Sequence, residues 1–390
     1  MPEGMKTSRD RILTTHVGSL PRPPALFDLV AAREAGKLDD LALFDKATAQ
    51  AVADVVQTQR QNGIDVVNDG ELSKLSYAFY IKGRVAGVGS SAIAVEKSRA
   101  VMMGRDRLEH PDFKPTGQPY DHFDYPACIG PLSYADRHPL EQDIDHLTQA
   151  VARTKPADAF MTCASPGVLT KFVIDTYYND EDAYIEALAT VMKTEYEAVV
   201  AAGFILQIDC PDLASARNNQ YRDKTDAEFL RIARRNVEAL NGATANIPPD
   251  KMRMHVCWGN YEGPHTHDIA FATIADVVFS ARPSAVLFEG ANPRHAHEWE
   301  DLKGVKIPND KILVPGMIDS TTNFVEHPKL VAQRIGHYAD IVGRERVIAG
   351  ADCGFSTVAA AHTKIAPSIV WAKFRALAEG AEIASKRLWG

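Results

Sequence analysis

The chain has 390 residues, of which 45% are hydrophobic and 24% are charged, an ordinary composition for a protein with a well-filled core. The formal net charge of −8 argues against a nucleic-acid partner, which would require a basic face. No apolar run reaches the roughly 20 residues of a membrane span, the polar N-terminus lacks the centre of a signal peptide, and the five cysteines show no disulfide spacing, so we expect a cytoplasmic protein that does not enter a membrane.

Short apolar strands alternate with helices along most of the chain. Strands are predicted to begin near residues 12, 64, 157, 204, 252, 285, 312 and 347. Helices are predicted between and after them, at 24–61, 141–154, 180–202, 226–240, 268–280, 327–342 and 367–386. Strand–helix alternation implies a parallel sheet. Because no glycine-rich dinucleotide fingerprint occurs, eight such units favour an α/β fold of the (β/α)8, or TIM-barrel, type.

The region 75–131 interrupts this alternation. It is rich in glycine, proline and aromatic residues and has no helical period. Segments of this length without secondary structure are usually functional or poorly ordered. We therefore predict a single (β/α)8 barrel over 1–390, with a long insertion after the second strand, at 75–131, that forms an arm or cap. The sequence leaves open whether this insertion is a lid or a contact in a homo-oligomer.

A histidine and a cysteine stand two residues apart on the strand predicted near residue 252. Residues i and i+2 of a strand point to the same side, so the imidazole of His255 and the thiol of Cys257 project together near the carboxyl end of this strand. Such a pair is half of a zinc site. Taken alone, it fits a core histidine beside a buried free cysteine better than a metal site.

Two later strands end in further metal-ligand types. One ends at Glu289, and the last ends at Asp352 and Cys353. The carboxyl ends of all strands of a (β/α)8 barrel meet at one face, where active sites lie. His255, Cys257, Glu289 and Cys353 are therefore predicted to form one tetrahedral site, and soft thiolates favour zinc. Other polar residues collect at the same face, namely Ser19, Glu71, Asp209 and Asp319.

Six motifs together resemble one family. They are T-T-H-V-G-S-L-P at 14–21, I-D-V-V-N-D-G-E at 64–71, Q-I-D-C-P at 207–211, H-V-C at 255–257, F-E-G at 288–290 and D-C-G at 352–354. In kind and order they resemble the catalytic C-terminal barrel of cobalamin-independent methionine synthase, over nearly the whole chain. The chain is similar to the shorter, single-barrel relatives of that enzyme. The resemblance implies a zinc cofactor held by His255, Cys257, Glu289 and Cys353.

The resemblance also implies a transferase that methylates homocysteine and takes part in methionine biosynthesis. Ser19 would hold the carboxylate of homocysteine, and Glu71 and Asp209 its ammonium group. A zinc-held thiolate would attack the methyl group of a donor such as methyltetrahydrofolate. Two carboxylates facing one small pocket suit a cationic group. The alternative is that these two acids pair with nearby arginines or cap helices.

The sequence departs from the family where the donor would react. The seventh strand keeps Asp319, a candidate catalytic residue, but Thr321 stands where the family has a histidine that helps to protonate the folate leaving group. A threonine cannot act as an acid near pH 7. The folate-binding stretch of the family is not recognisable either. The sequence therefore leaves the identity of both the thiol and the alkyl donor open.

Two other functions are compatible with the same motifs. One is thiol alkylation of the kind catalysed by epoxyalkane:coenzyme M transferases, in which a cation would bind the sulfonate of the thiol. The candidate cations are Lys74, Lys82, Arg84 and Arg294. The other is a non-catalytic barrel that binds zinc or a thiol, since a fold alone does not fix a function.

Overall fold

The computed structural model describes residues 4–91, 104–113, 125–360 and 363–390. Within these residues, eight strands form one sheet in the order β1-β8-β7-β6-β5-β4-β3-β2, and all neighbours are parallel. The strands are β1 (Leu13–Thr14), β2 (Val66–Val67), β3 (Asp158–Ala164), β4 (Ile205–Asp209), β5 (Met252–Val256), β6 (Ala285–Phe288), β7 (Ile312–Ile318) and β8 (Ile348–Ala351).

The two ends of this sheet approach each other and nearly close a barrel. The amide of Asp65, next to β2, donates a hydrogen bond of 3.1 Å to the carbonyl of Thr14 on β1. Helices alternate with the strands, and their bounds are α1 (Pro24–Glu34), α2 (Leu41–Gln61), α3 (Arg105–Glu109), α4 (His138–Thr154), α5 (Pro166–Phe172), α6 (Glu181–Ala201), α7 (Asp226–Ala243), α8 (Phe271–Phe279), α9 (Glu298–Leu302), α10 (Pro328–Val342) and α11 (Pro367–Trp389). The (β/α)8 prediction is confirmed.

Side chains that alternate along each strand fill two different cores. On β6, Ala285 and Leu287 belong to a cluster inside the barrel, whereas Val286 and Phe288 pack among the helices. This follows from the two-residue period of a strand, which sends successive side chains to opposite faces. The interior cluster also contains Leu13, Val66, Phe160, Ile205, Val314 and Ile348, so most strands contribute to it.

The first helical region differs from the prediction. The structure divides the helix predicted over 24–61 into α1 and α2. Gly36 adopts a φ of +66° directly after α1, a conformation that favours glycine at a helix end. The side chain of Asp40 then accepts a hydrogen bond of 2.8 Å from the amide of Leu43 and caps α2. The short helix α5, which the sequence did not predict, begins at a similar cap on Ser165.

Two strands from the chain between β2 and β3 and one from the chain after β3 form a second, smaller sheet. Val85–Ser90 pairs antiparallel with Pro126–Tyr134, and Ile174–Asp175 adds a parallel third strand. Residues 92–103 and 114–124 of the predicted arm or cap lie outside the described residues, so the insertion as a unit stays a prediction.

The short helix α3 connects the described part of the insertion to the mouth of the barrel. The buried carboxylate of Asp106 accepts hydrogen bonds from the hydroxyl of Tyr261, at 2.6 Å, and from the amide of His265, at 3.0 Å. Both partners follow β5, so α3 is held beside the carboxyl ends of the strands. In the part of the chain that the structure describes, no helix has the length and apolarity needed to cross a membrane.

Candidate metal centre and substrate cavity

Three of the four predicted metal ligands meet at the carboxyl ends of the barrel strands. One ligand atom each of His255, Cys257 and Cys353 lies within 4.8 Å of the others, and all three residues are buried. The two sulfur atoms are 3.7 Å apart. His255 lies on β5, Cys257 directly follows that strand, and Cys353 follows β8. The parallel strands thus place residues that are distant in sequence at one end of the barrel.

Within the described chain, the imidazole of this cluster lacks hydrogen-bond partners, whereas the Cys257 sulfur accepts from the amide of Gly259 at 3.3 Å. Neither ring nitrogen of His255 has a hydrogen-bond partner among the described residues. Burial, and then the nearby Arg253, lower the pKa of His255 to about 3, so the ring is neutral at pH 7, as a metal ligand must be. The neighbouring Cys353 and burial raise the pKa of Cys257 well above its usual value. The two thiols would ionise only beside a cation. One neutral imidazole and two thiolates are a typical set of ligands for a zinc ion.

Glu289, the fourth predicted ligand, lies beside the cluster but has other partners. Its carboxylate accepts hydrogen bonds of 2.8 Å from the amide of Trp258 and from the side chain of Asn292. Burial, and then Cys257, raise the pKa of Glu289 well above its usual value. The carboxylate of Asp352 accepts bonds of 2.8 Å from the amides that directly follow Glu289, and so fixes the loop.

A cavity of about 220 Å³ joins this cluster to the residues predicted to bind the substrate. It is lined by Ser19, Glu71 and Asp209 as well as by His255, Cys257 and Cys353. The structure therefore brings both predicted groups to one cavity.

The two acids of the cavity are buried and lack ion pairs among the described residues. Oε2 of Glu71 has no hydrogen-bond partner there, and Asp209 accepts one bond of 2.9 Å from Gln207. Burial raises the pKa of Glu71 to about 7, and burial together with Glu71 raises the pKa of Asp209 well above its usual value. Arg22 donates to the main-chain carbonyl of Glu71 and not to its carboxylate. A cation bound between the two acids would stabilise both as carboxylates.

The backbone supports the positions of these polar residues. Glu71 has a φ of +56°, a left-handed conformation that is uncommon outside glycine and often occurs at functional sites. The hydroxyl of Ser19 accepts a bond of 3.4 Å from the amide of Ser356. A Cβ atom at Gly354 would overlap this hydroxyl, so the glycine that follows Cys353 allows the loops after β1 and β8 to approach.

Asp319 is directed away from the cavity and does not line it. Its carboxylate accepts bonds of 2.8 Å from the amide and hydroxyl of Thr321 and of 2.6 Å from the hydroxyl of Thr322. These contacts close a local turn after β7. A catalytic role for Asp319 stays a prediction.

Three cations of the cavity, Lys171, Lys364 and Arg107, were not predicted from the sequence. None of the four cations predicted as candidates for a sulfonate lines the cavity. Lys74 donates to the carbonyl of Thr162, and Arg84 forms a buried ion pair of 2.5 Å with Glu195. Lys171 lies on the unpredicted helix α5, so the signal would have been a charged residue in the first turns after a strand end.

Fold and site together define a class of protein: a (β/α)8 barrel with a buried His–Cys–Cys cluster and an acidic cavity at the carboxyl ends of its strands. No family model matches the chain. The methionine synthase of Saccharolobus solfataricus is 24% identical over 96% of this chain and 95% of its own. An uncharacterized protein of Bacillus subtilis, YxjH, is 23% identical over 95% of both chains.

A solved structure shares the fold over almost the whole chain. The B12-independent methionine synthase from Shewanella sp. W3-18-1, in complex with selenomethionine, has a TM-score of 0.68 and 20% sequence identity, over 97% of this chain and 99% of that one. These relatives confirm the resemblance to the cobalamin-independent methionine synthase family that the six motifs indicated. The similarity to the Saccharolobus solfataricus enzyme over nearly the whole chain also confirms the prediction that the chain is a transferase.

Proposed function

We propose that the protein is a zinc-dependent thiol alkyltransferase that methylates homocysteine to methionine in the reducing cytoplasm. The observation that supports this is one cavity lined both by the cluster of His255, Cys257 and Cys353 and by the acids Glu71 and Asp209. The cluster suits a soft metal that binds sulfur, and the acids suit a cation. Homocysteine carries a thiol and an ammonium group on one short chain.

His255, Cys257 and Cys353 would hold the zinc ion, with Glu289 as the fourth ligand that the family resemblance suggests. Bound zinc would lower the pKa of a substrate thiol so that the thiolate forms at neutral pH. Glu289 already has hydrogen-bond partners in Trp258 and Asn292. These partners would stabilise its carboxylate when the sulfur of the substrate takes its place.

The other end of the cavity would orient the amino acid. Glu71 and Asp209 would bind the ammonium group and Ser19 the carboxylate. Burial raises the pKa of Glu71 to about 7, so this acid holds its proton up to about that pH. The ammonium group would therefore displace a proton as it binds. With this end fixed, the sulfur faces the thiol pair. It attacks the methyl carbon of the donor, a carbon–sulfur bond forms, and the leaving group departs with the electron pair of the broken bond and takes up a proton.

The two acids also separate this proposal from its alternatives. Coenzyme M has a sulfonate and no ammonium group, so it would leave both buried acids without the cation that they suit. A non-catalytic zinc site would keep four permanent protein ligands, so release of Glu289 when homocysteine binds would distinguish the two.

X-ray absorption at the zinc edge, measured before and after addition of homocysteine, tests the proposal. We expect two sulfur ligands in the free protein and three with homocysteine. Homoserine, which has a hydroxyl in place of the thiol, is the control and should add no sulfur. A zinc shell that homocysteine does not change would indicate a structural site, and zinc-free protein from a preparation without chelators would refute the proposal.

A further inference from the structure

The proposed reaction leaves one buried cation of the cavity without a role. Lys171, at the end of α5, is 6% exposed and lines the cavity. It has no hydrogen bond or ion pair with any other described residue, and its Nζ lies 5.4 Å from the centre of the Phe172 ring. Burial lowers the pKa of Lys171 to about 8, so it is still mainly charged at pH 7. A charge without a protein partner at a cavity wall is available to an acidic group of a ligand.

The other buried lysines of the described chain have partners. Lys311 donates to two main-chain carbonyls, at 2.5 and 2.8 Å, Lys373 binds Glu326 at 3.0 Å, and Lys74 donates to a carbonyl at 3.3 Å. Three of the four buried lysines in the described residues thus have a hydrogen bond or an ion pair within the protein. Lys171 is the exception, and it faces the space where substrates would bind.

Lys171 shares the cavity with the thiol pair and with the two acids. Burial lowers its pKa, whereas the charges of Cys257 and Asp212 act to raise it. The carboxylate of Asp212 accepts hydrogen bonds from the hydroxyl of Ser165, at 2.6 Å, and from the side chain of Asn236, at 3.0 Å. It forms no ion pair with Lys171.

A second lysine, Lys364, also lines the cavity and donates to the carbonyl of Asn260 at 3.2 Å. The cavity is thus lined by two acids, Glu71 and Asp209, which form its acidic end, and by the cations Lys171 and Lys364.

We propose that Lys171 binds an acidic group, a carboxylate, phosphate or sulfonate, of the alkyl donor. This rests on the proposed alkyl transfer, in which homocysteine occupies the acidic end of the cavity. The rings of Tyr77 and Phe172, 6.3 Å apart, line the cavity beside Lys171 and would pack against an apolar part of the donor. Lys171 is then a residue that determines which donor is accepted.

Two alkylating agents that differ mainly in charge provide the test. Iodoacetate and iodoacetamide share a leaving group, and the zinc-loaded protein would transfer either alkyl group to homocysteine. We expect Lys171→Met to lower the preference of the enzyme for iodoacetate over iodoacetamide about tenfold, the effect of losing one moderate ionic contact. Lys171→Arg should retain the preference. Lys193→Met, which removes the same charge from an exposed helix surface, should leave it unchanged. An unaltered preference in Lys171→Met would overturn the proposal.

A second readout does not depend on turnover. In protein stripped of zinc, with its fold checked by circular dichroism, Cys257 and Cys353 can be labelled directly, and the ratio of the two labelling rates reports the nearby charge. The same fall in Lys171→Met is expected, even if the wild-type protein alkylates no homocysteine and the proposed function fails. To identify the substrate that carries the acidic group, coenzyme M replaces homocysteine. A rise in the KM for coenzyme M with an unchanged donor preference would assign Lys171 to the thiol and refute its assignment to the donor.

Discussion

Two buried side chains on β5, two residues apart, differ in how well the protein satisfies them. The guanidinium of Arg253 donates to the side chains of Gln207, at 2.8 Å, and Thr15, at 3.0 Å, and to the carbonyl of His16, at 2.9 Å. His255, on the same face of the strand, has no partner for either ring nitrogen among the described residues.

The difference separates a supporting layer of the barrel from a reactive one. Native proteins pair nearly all buried polar groups, and the interior does so for Arg253. The imidazole of His255 lines the cavity without a hydrogen-bond partner among the described residues, so it is available to a ligand there. The supporting layer also positions the reactive one, because the side chain of Gln207 accepts a hydrogen bond from Arg253 and donates one to Asp209.

Breaking the reactive layer should have the largest effect. Cys353→Ser removes one of the two thiols, and we expect loss of bound zinc and a fall in alkyl transfer of more than about 1,000-fold. Zinc is measured by mass spectrometry of the metal and the fold by circular dichroism. Cys128→Ser is the matched control, because the Cys128 thiol donates only to the carbonyl of Gly130 in the smaller sheet. Full turnover by a zinc-free Cys353→Ser protein would contradict the proposed role.

Breaking the supporting layer should affect stability before it affects metal binding. Arg253→Met leaves buried acceptors unpaired, and we expect the free energy of unfolding to fall by about 3 kcal/mol. The folded fraction should still bind zinc. Urea titration measures the change, and Arg11→Met, which removes a half-exposed partner of Asp65, should cost less than about 1 kcal/mol. Loss of zinc from an Arg253→Met protein of unchanged stability would show that the two layers are not separate.

A substitution at the acidic end of the cavity should have a smaller effect on substrate binding, and this effect should depend on pH. Glu71→Gln removes one carboxylate, and we expect the KM for homocysteine at pH 8 to rise about tenfold. The pKa of Glu71 is raised to about 7, so at pH 6 the wild-type carboxyl is itself mostly protonated and the difference should shrink. The thiol 4-mercaptobutyrate, which lacks the ammonium group, is the control. An equal rise in KM for both thiols would count against an ammonium site.

Backbone direction was predictable from the sequence, whereas side-chain partners were not. The two-residue period of β5 and the shared direction of parallel strands were enough to place His255, Cys257 and Cys353 together. The same rule brought Glu289 to the correct face, but the rotamer of its carboxylate depends on the loop that presents the amide of Trp258. Lys171 was missed because its position depends on the path of α5, which has no strand period to reveal it.

The pairing of the first barrel strand with the last has a consequence for how the molecule is made. β1 is hydrogen-bonded to β8, with Leu13 beside Ile348, and the loops after these strands bring Ser19 close to Gly354. Contacts so distant in sequence form late, since a long loop must close first. On the ribosome, β1 has to wait until β8 has emerged. Cys353 lies two residues after the end of β8, so the metal cluster would also be completed only at this late stage.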